Sequence, residues 1–286
     1  MPRHWEAKGR IIISDDVPKV MGIVNVTPDS FSDGGRWFST EVAVEHGLKL
    51  VEEGAEILDI GGESTRPGAE IVPVEEELRR VVPVVEALAG RTNVPISIDT
   101  TKSEVARRAL EAGASIINDV SALREPGMVE AVSSAGAAVV LMHMLGTPQT
   151  MQDNPVYDDV VAEVREYLNE RIAWCEERGI PRSRIAVDPG IGFGKTHEHN
   201  LTLLRNLDQF ATLGCVLMIG VSRKGTIKKM TGRSLDERLV GSVVCSLAAC
   251  TMGAAVARVH DVGPMVDAIK VWNETRGWGK NDVQGG

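Results

Sequence analysis

The chain has 286 residues, of which 43% are apolar and 4% aromatic, with no low-complexity run, and this excludes a disordered or fibrous protein. A formal charge of -9 excludes a general nucleic-acid binder, which needs a basic face, while leaving room for a local basic pocket around a small anion. The four cysteines, Cys175, Cys215, Cys245 and Cys250, form no CxxC pair, and the N-terminal MPRHWEAKGR lacks the apolar core of a signal peptide. A reduced, non-exported, cytoplasmic protein is therefore expected.

In chain order, residues 1–19 form a short N-terminal extension expected to cover one end of the fold. A first strand is predicted over 20–26 (VMGIVNV), ending at Asn25 before the polar loop TPDSFSDGGRW. A helix over 41–53 places Val44, Leu48 and Val51 on one face, and Gly54 stops it before a second strand at 57–60 with Asp59 near its end. The pattern repeats: the loop GGESTRPGA, a helix opened by Pro73, a strand at 95–99 (PISID), a helix over 103–112, and a strand at 116–119 (IIND). A helix over 126–135, a strand at 138–143, a longer loop with Pro148 and Pro155, and a long amphipathic helix over 158–178 follow. A sixth strand at 185–188 runs into VDPGIGFGKT. That loop fits neither a phosphate-cradling P-loop nor a dinucleotide fingerprint, because Pro189 and the GxGxG spacing of Gly190, Gly192 and Gly194 break both patterns.

A Leu-rich helix from about residue 199, a strand at 216–220 and the loop SRKGTIKKMTG come next. The uncharged stretch 239–257 approaches the length of a membrane span. Its Gly, Ser, Thr, Ala and Cys content predicts instead a small-residue helix buried in a core or a subunit interface, leading into a last strand at 256–260. A final helix over 264–275 is followed by a tail, 278–286. Eight strands alternating with eight helices over 20–277, with no linker, predict an α/β fold, a single (β/α)8 TIM barrel with a short N-terminal extension.

In such a barrel the chemistry lies at the C-terminal strand ends. The polar residues there are Asn25, Asp59, Asp99, Asn118 with Asp119, His143, Asp188, Lys224, and Arg258 with His260. Alternation puts Ile23 with Asn25, Ile57 with Asp59, Ser97 with Asp99, and Arg258 with His260 on shared faces, so they converge in one mouth. Arg223, Lys224 and Arg258 read as an anion site, whereas His197 and His199 lack a third metal ligand and, like His4 and His46, read as surface. Carboxylates and amides that accept from a donor-rich ring, beside cations that hold phosphate, suit a transferase acting on a diphosphorylated heterocycle.

The blocks GIVNVTPDSFSDGG, LDIGGESTRPGA, ISIDTTKSEVA, IINDV, DPGIGFGKTHEHN, GVSRKG and ARVHDV closely resemble the dihydropteroate synthase family, over about residues 20–272. That resemblance implies a folate-biosynthesis transferase of an alkyl group other than methyl, a target of sulfonamides. It would join 7,8-dihydropterin-6-ylmethyl diphosphate to p-aminobenzoate by a dissociative, SN1-like mechanism and release diphosphate. By the same resemblance Asn25, Lys224, Arg258 and His260 are catalytic. Asp99, Asn118, Met142, Asp188, Phe193, Gly220 and Lys224 would hold the pterin, and Asn25, Thr65, Arg258 and His260 the diphosphate, with Mg²⁺ on Asn25. Phe31, Asp33, Thr65, Arg66 and Phe193 would close over p-aminobenzoate. A homodimer through the uncharged helix is implied, with no nucleic-acid or membrane partner. Ile191 and Gly225 depart from residues common in the family, so the edge of the p-aminobenzoate pocket is expected to differ. The alternatives are a pterin-binding barrel of the methyltransferase kind and a non-catalytic pterin-binding protein.

Overall fold

The computed structural model describes residues 4–27, 36–66 and 68–278. Short apolar runs make strands buried on both faces, which requires parallel pairing covered by helices. The chain delivers them in alternation: β1 (Trp5–Ala7), β2 (Arg10–Ile13), β3 (Lys19–Asn25), α1 (Arg36–Glu52), β4 (Ile57–Gly61), α2 (Val74–Ala89), β5 (Ile96–Asp99), α3 (Ser103–Ala112), β6 (Ile116–Asp119), α4 (Met128–Ser134), β7 (Ala138–Met142) and α5 (Val160–Glu176). Then follow β8 (Ile185–Asp188), α6 (His197–Arg205), α7 (Leu207–Ala211), β9 (Val216–Ile219), α8 (Gly225–Thr231), α9 (Leu239–Thr251), β10 (Val256–Val259) and α10 (Val262–Thr275). Strands β3 to β10 close into a parallel barrel in which β10 pairs with β3, the (β/α)8 architecture expected.

Strand alternation divides the core in two. Met21, Ile57, Ile116, Ala138, Ala186, Val216 and Val256 point into the barrel, while Val24, Leu58, Ile98, Val139, Val187 and Leu217 face the helices. The inward residues nearest the strand starts are apolar. The N-terminal extension forms a β1–β2 hairpin turning through Lys8 and Gly9, both with positive φ, and it plugs that end. Trp5, Ala7 and Ile13 join the inner cluster, and Trp5 Nε1 donates to Arg184 O at 3.1 Å, just ahead of β8.

Two expectations change. The stretch after β9, read as loop throughout, contains α8, which buries Ile227 and ends at left-handed Gly232. The uncharged stretch is a 13-residue helix rather than one running into the strand, and no helix among the described residues is long and apolar enough to cross a membrane. Nor is it wholly buried. Ser242, Ser246, Ala249 and Cys250 face the core, but Val240 is 72% and Val244 61% exposed on the opposite side.

Trp5 fills the barrel base and is wholly buried. Trp5→Ala is expected to cost about 3–5 kcal/mol in urea unfolding, and an unchanged midpoint would show the hairpin to be dispensable.

Candidate functional site

The inward positions of the strand ends are polar where those of the strand starts are apolar. Arg258 on β10 lies between two carboxylates: Nε donates to Asp59 Oδ2 at 2.6 Å and Nη2 to Asp99 Oδ2 at 2.7 Å. Asn118 Nδ2 also donates to Asp59 Oδ2, at 3.1 Å. Asp59 Oδ1 and Asp99 Oδ1 are buried without a partner among the described residues, so each offers an acceptor to a bound donor. Burial, countered by Arg258, pushes the Asp99 carboxyl upward. Sequence reasoning placed Arg258 in a cation cluster. The structure gives it two anions instead, because a guanidinium inside a barrel must be neutralised nearby. Asp59, counted as a strand end but given no role, is thereby a member of the site.

Beside this layer, Asp188 Oδ1 accepts from Gly190 N at 2.7 Å, and burial raises its pKa despite Lys224. Lys224 Nζ donates to Ile191 O at 2.6 Å and lies 4.7 Å from the centre of the Phe193 ring. Burial lowers Lys224 to about 8. Phe193 packs with Val120, Met142, Met144 and Met151, an apolar wall suited to a flat ring; only Met142 and Phe193 were picked out from sequence. A Cβ on Gly190 would meet His143 O at 1.9 Å and one on Gly194 would meet Leu145 Cβ at 2.6 Å, so the loop is pressed against the end of β7. Gly220 stands open to the same space, with Asp188 Oδ2 3.9 Å from a Cβ built there.

Lys195, which sequence reasoning passed over, secures this loop from behind. It is 3% exposed, and its Nζ lies 2.9 Å from His143 Nδ1 while donating to Phe193 O at 2.9 Å. Burial lowers Lys195 to about 7 and, with Lys195 beside it, His143 to about 3. His143 is thus spent on the loop. Its ring also meets Tyr167 edge-on, with centroids 4.9 Å apart. A lysine in a GxGxGK run carries no sequence signal for burial, since lysine is ordinarily exposed.

At the rim, the half-buried Asn25 side chain has no partner among the described residues. His260 receives Ser222 at both ends: Ser222 Oγ accepts from His260 N at 3.2 Å and lies 3.1 Å from Nδ1. Burial, then Arg258, lowers His260 to about 4, so it is neutral near pH 7 and no cation for phosphate. Arg66, exposed in the loop after β4, lies near enough to add to that lowering, and Thr65 beside it is half-buried. Phe31 and Asp33 lie outside the described residues.

Other expectations are corrected. Asp119 points outward and accepts from Ser121 N and Leu123 N, fastening a turn. Arg223 is no part of the mouth's cation set, because it pairs with Asp261 at 2.9 and 2.5 Å. His199 is not free surface. It completes a capping box with Thr196 at the start of α6 and meets Tyr157 edge-on at 5.0 Å. Ile191 is fully buried among the outer core residues, and its carbonyl accepts from Lys224. Gly225 is exposed, with open space where a Cβ would stand.

Comparison with known proteins accords with this geometry. The pattern of the family described as pterin binding enzyme matches residues 21–260. The dihydropteroate synthase of Escherichia coli (strain K12) is 52% identical over 258 residues, 90% of this chain and 92% of that one. The Xanthomonas albilineans dihydropteroate synthase solved with 4-aminobenzoic acid is 53% identical with a TM-score of 0.90, over 96% of this chain and 98% of that one. The same enzyme solved in complex with 7,8-dihydropteroate is 50% identical with a TM-score of 0.85, over 95% and 98%.

Both His143 and His260 have folded pKa values far below the ordinary ~6.5 of histidine. Nuclear magnetic resonance should find neither ring protonating between about pH 8 and about pH 5.5; a step near pH ~6.5 in either would contradict their burial as neutral groups.

Proposed function

The chain belongs to the dihydropteroate synthase family of pterin-binding enzymes, transferases that join 7,8-dihydropterin-6-ylmethyl diphosphate to p-aminobenzoate and release diphosphate, and from that premise we propose which of its residues carry the reaction. The observation that carries the assignment is the pair of buried, unpartnered carboxylate oxygens on Asp59 and Asp99, set beside Asn118, Asp188 and Lys224. A pterin ring presents N–H and amino donors along one edge, and these oxygens accept them. Met142, Phe193 and the open face of Gly220 sandwich the ring.

The reaction breaks the bond from the methylene carbon to the diphosphate oxygen, and the electron pair leaves with that oxygen. The electron-rich pterin spreads the positive charge left on the carbon. The neutral amine of p-aminobenzoate then attacks the carbon and loses a proton, so no strong base is required. Arg258 uses two of its five N–H groups on Asp59 and Asp99, and the others remain for the leaving diphosphate. Neutral His260 contributes a hydrogen bond rather than a charge, and Thr65 and Arg66 lean in from the loop after β4.

No group of three or more His, Cys, Asp or Glu among the described residues could cage a metal, and Asp59 and Asp99 are engaged by Arg258. Asn25, whose side-chain amide has no partner among the described residues, would hold a Mg²⁺ through its one amide oxygen, an ion that otherwise keeps waters and substrate oxygens. When bound, such an ion supplies neutralisation of the leaving group. Asn25, Arg258 and His260 then fix where the diphosphate sits. Cysteines that form no disulfide among the described residues accord with a cytoplasmic setting.

We assign the exposed apolar strip of Leu239, Val240 and Val244 on α9, with Val271 on α10, to a second copy of this chain. Val240→Asp with Val244→Asp is expected to convert a dimer to monomer in light scattering, whereas a monomeric parent would remove the assignment.

Incubation with both substrates and Mg²⁺ should yield dihydropteroate and diphosphate by mass spectrometry. Arg258→Lys, which retains charge but loses the two-pronged contact, should lower kcat by roughly 100-fold or more. Pterin binding without product from the parent chain would sink the assignment.

A further inference from the structure

The loop after β4 is drawn together by one carboxylate. Glu63 Oε1 accepts from Val72 N, at the far end of the loop, at 3.1 Å, while Oε2 accepts from Lys102 Nζ. The same ammonium donates to Glu77 Oε2 at 2.5 Å. Lys102 belongs to the β5–α3 connection, where its backbone N–H donates to Thr100 Oγ1 at 3.2 Å. Glu77 comes from α2 and is wholly buried, with Oε1 unpartnered among the described residues. Three segments therefore meet on one cation.

The loop's first residue is pressed onto the same helix. A Cβ on Gly62 would meet Val81 Cγ1 at 2.6 Å and Glu77 Cγ at 3.0 Å, and Gly62 O accepts from Arg80 Nη1 at 2.8 Å. A buried cluster of two acids and a lysine is poor value as mere stabilisation, because apolar groups of like volume commonly do as well. It does provide directional bonds that fix a loop start, a loop end and a helix relative to one another. The segment held in this way carries Thr65 and Arg66, and Arg66 lies near enough to His260 at the mouth to lower its pKa. The groups assigned to the pterin, by contrast, make no hydrogen bond to the cluster among the described residues, Glu77 acting on Asp99 only as a nearby like charge.

We propose that Glu63, Lys102 and Glu77 are positioning residues that set the loop after β4 over the mouth, and that they govern capture of p-aminobenzoate without altering pterin binding. The proposal rests on the function assigned above. A misplacement of about 1 Å at a reacting group can cost on the order of 100-fold, so a loosened loop should be visible in one substrate and silent in the other.

Lys102→Met keeps the stem and removes the charge. It should raise KM for p-aminobenzoate about tenfold or more, while the Kd for the pterin diphosphate, measured calorimetrically with Mg²⁺ and without p-aminobenzoate, stays within about twofold. Glutamyl endopeptidase should also cut faster after Glu70, which is exposed in this loop. An unchanged KM in a variant that unfolds like the parent, or parallel weakening of both ligands, would overturn the proposal. Should Lys102→Met fail to fold, Glu63→Gln, which keeps an acceptor for Val72 N but loses the ion pair, is read by the same criteria. If the parent makes no dihydropteroate, the assigned function fails, and the cleavage rate alone then decides whether the cluster pins the loop.

Discussion

Asp59, Asp99 and Asp188 are gathered in the buried mouth of the barrel, where burial raises the pKa of Asp99 and Asp188 against the pull of nearby cations, and a carboxylate there needs a cation beside it. Arg258 is that cation. Its planar fork reaches Asp59 and Asp99 at once, a geometry that a point-charged lysine does not match. Each carboxylate keeps one oxygen without a partner among the described residues, so the same ion cluster that makes burial tolerable also leaves acceptors ready for a ligand. Removing one partner from a buried pair costs about 3–5 kcal/mol, so binding and stability are tied to the same three residues.

This arrangement depends on the barrel being closed differently at its two ends. At the strand starts the interior is apolar and the β1–β2 hairpin fills it with Trp5, Ala7 and Ile13. Polar groups can then gather at the strand ends, where the loops vary. The glycine loop after β8 shows how tightly that end is built. Gly190 and Gly194 allow it to touch β7 and the residues beyond, and Lys195 holds it from behind through His143 and the Phe193 carbonyl. Phe193 and Lys224 therefore stand together in a fixed wall of the mouth.

The loop after β4 is organised on other terms. Its anchorage is ionic and lies outside the mouth, on Glu63, Lys102 and Glu77. The floor of the mouth is thus built into strand ends, whereas this loop is held by side chains of α2 and of the β5–α3 connection. The apolar strip on α9 carries Val240 and Val244 on the side opposite its core-facing residues.

The amino-acid sequence alone determined the eight barrel strands, because each is a short apolar run and most are closed by a polar residue, a signal local to a few residues. Parity along the strands put Asn25, Asp59, Asp99, Arg258 and His260 on the inner face, and the family blocks supplied a chemistry for them. Tertiary structure alone decided the partners. Arg258 and Asp59 are 199 residues apart, so nothing in their spacing shows that the arginine bonds to acids before it meets any phosphate. Burial of Lys195, neutrality of His260 and the pairing of Arg223 with Asp261 likewise arise from distant segments meeting. The α9 helix marks the boundary: its composition told of small residues packed closely, while which side met the core, and which was left exposed, followed only from where the barrel placed it.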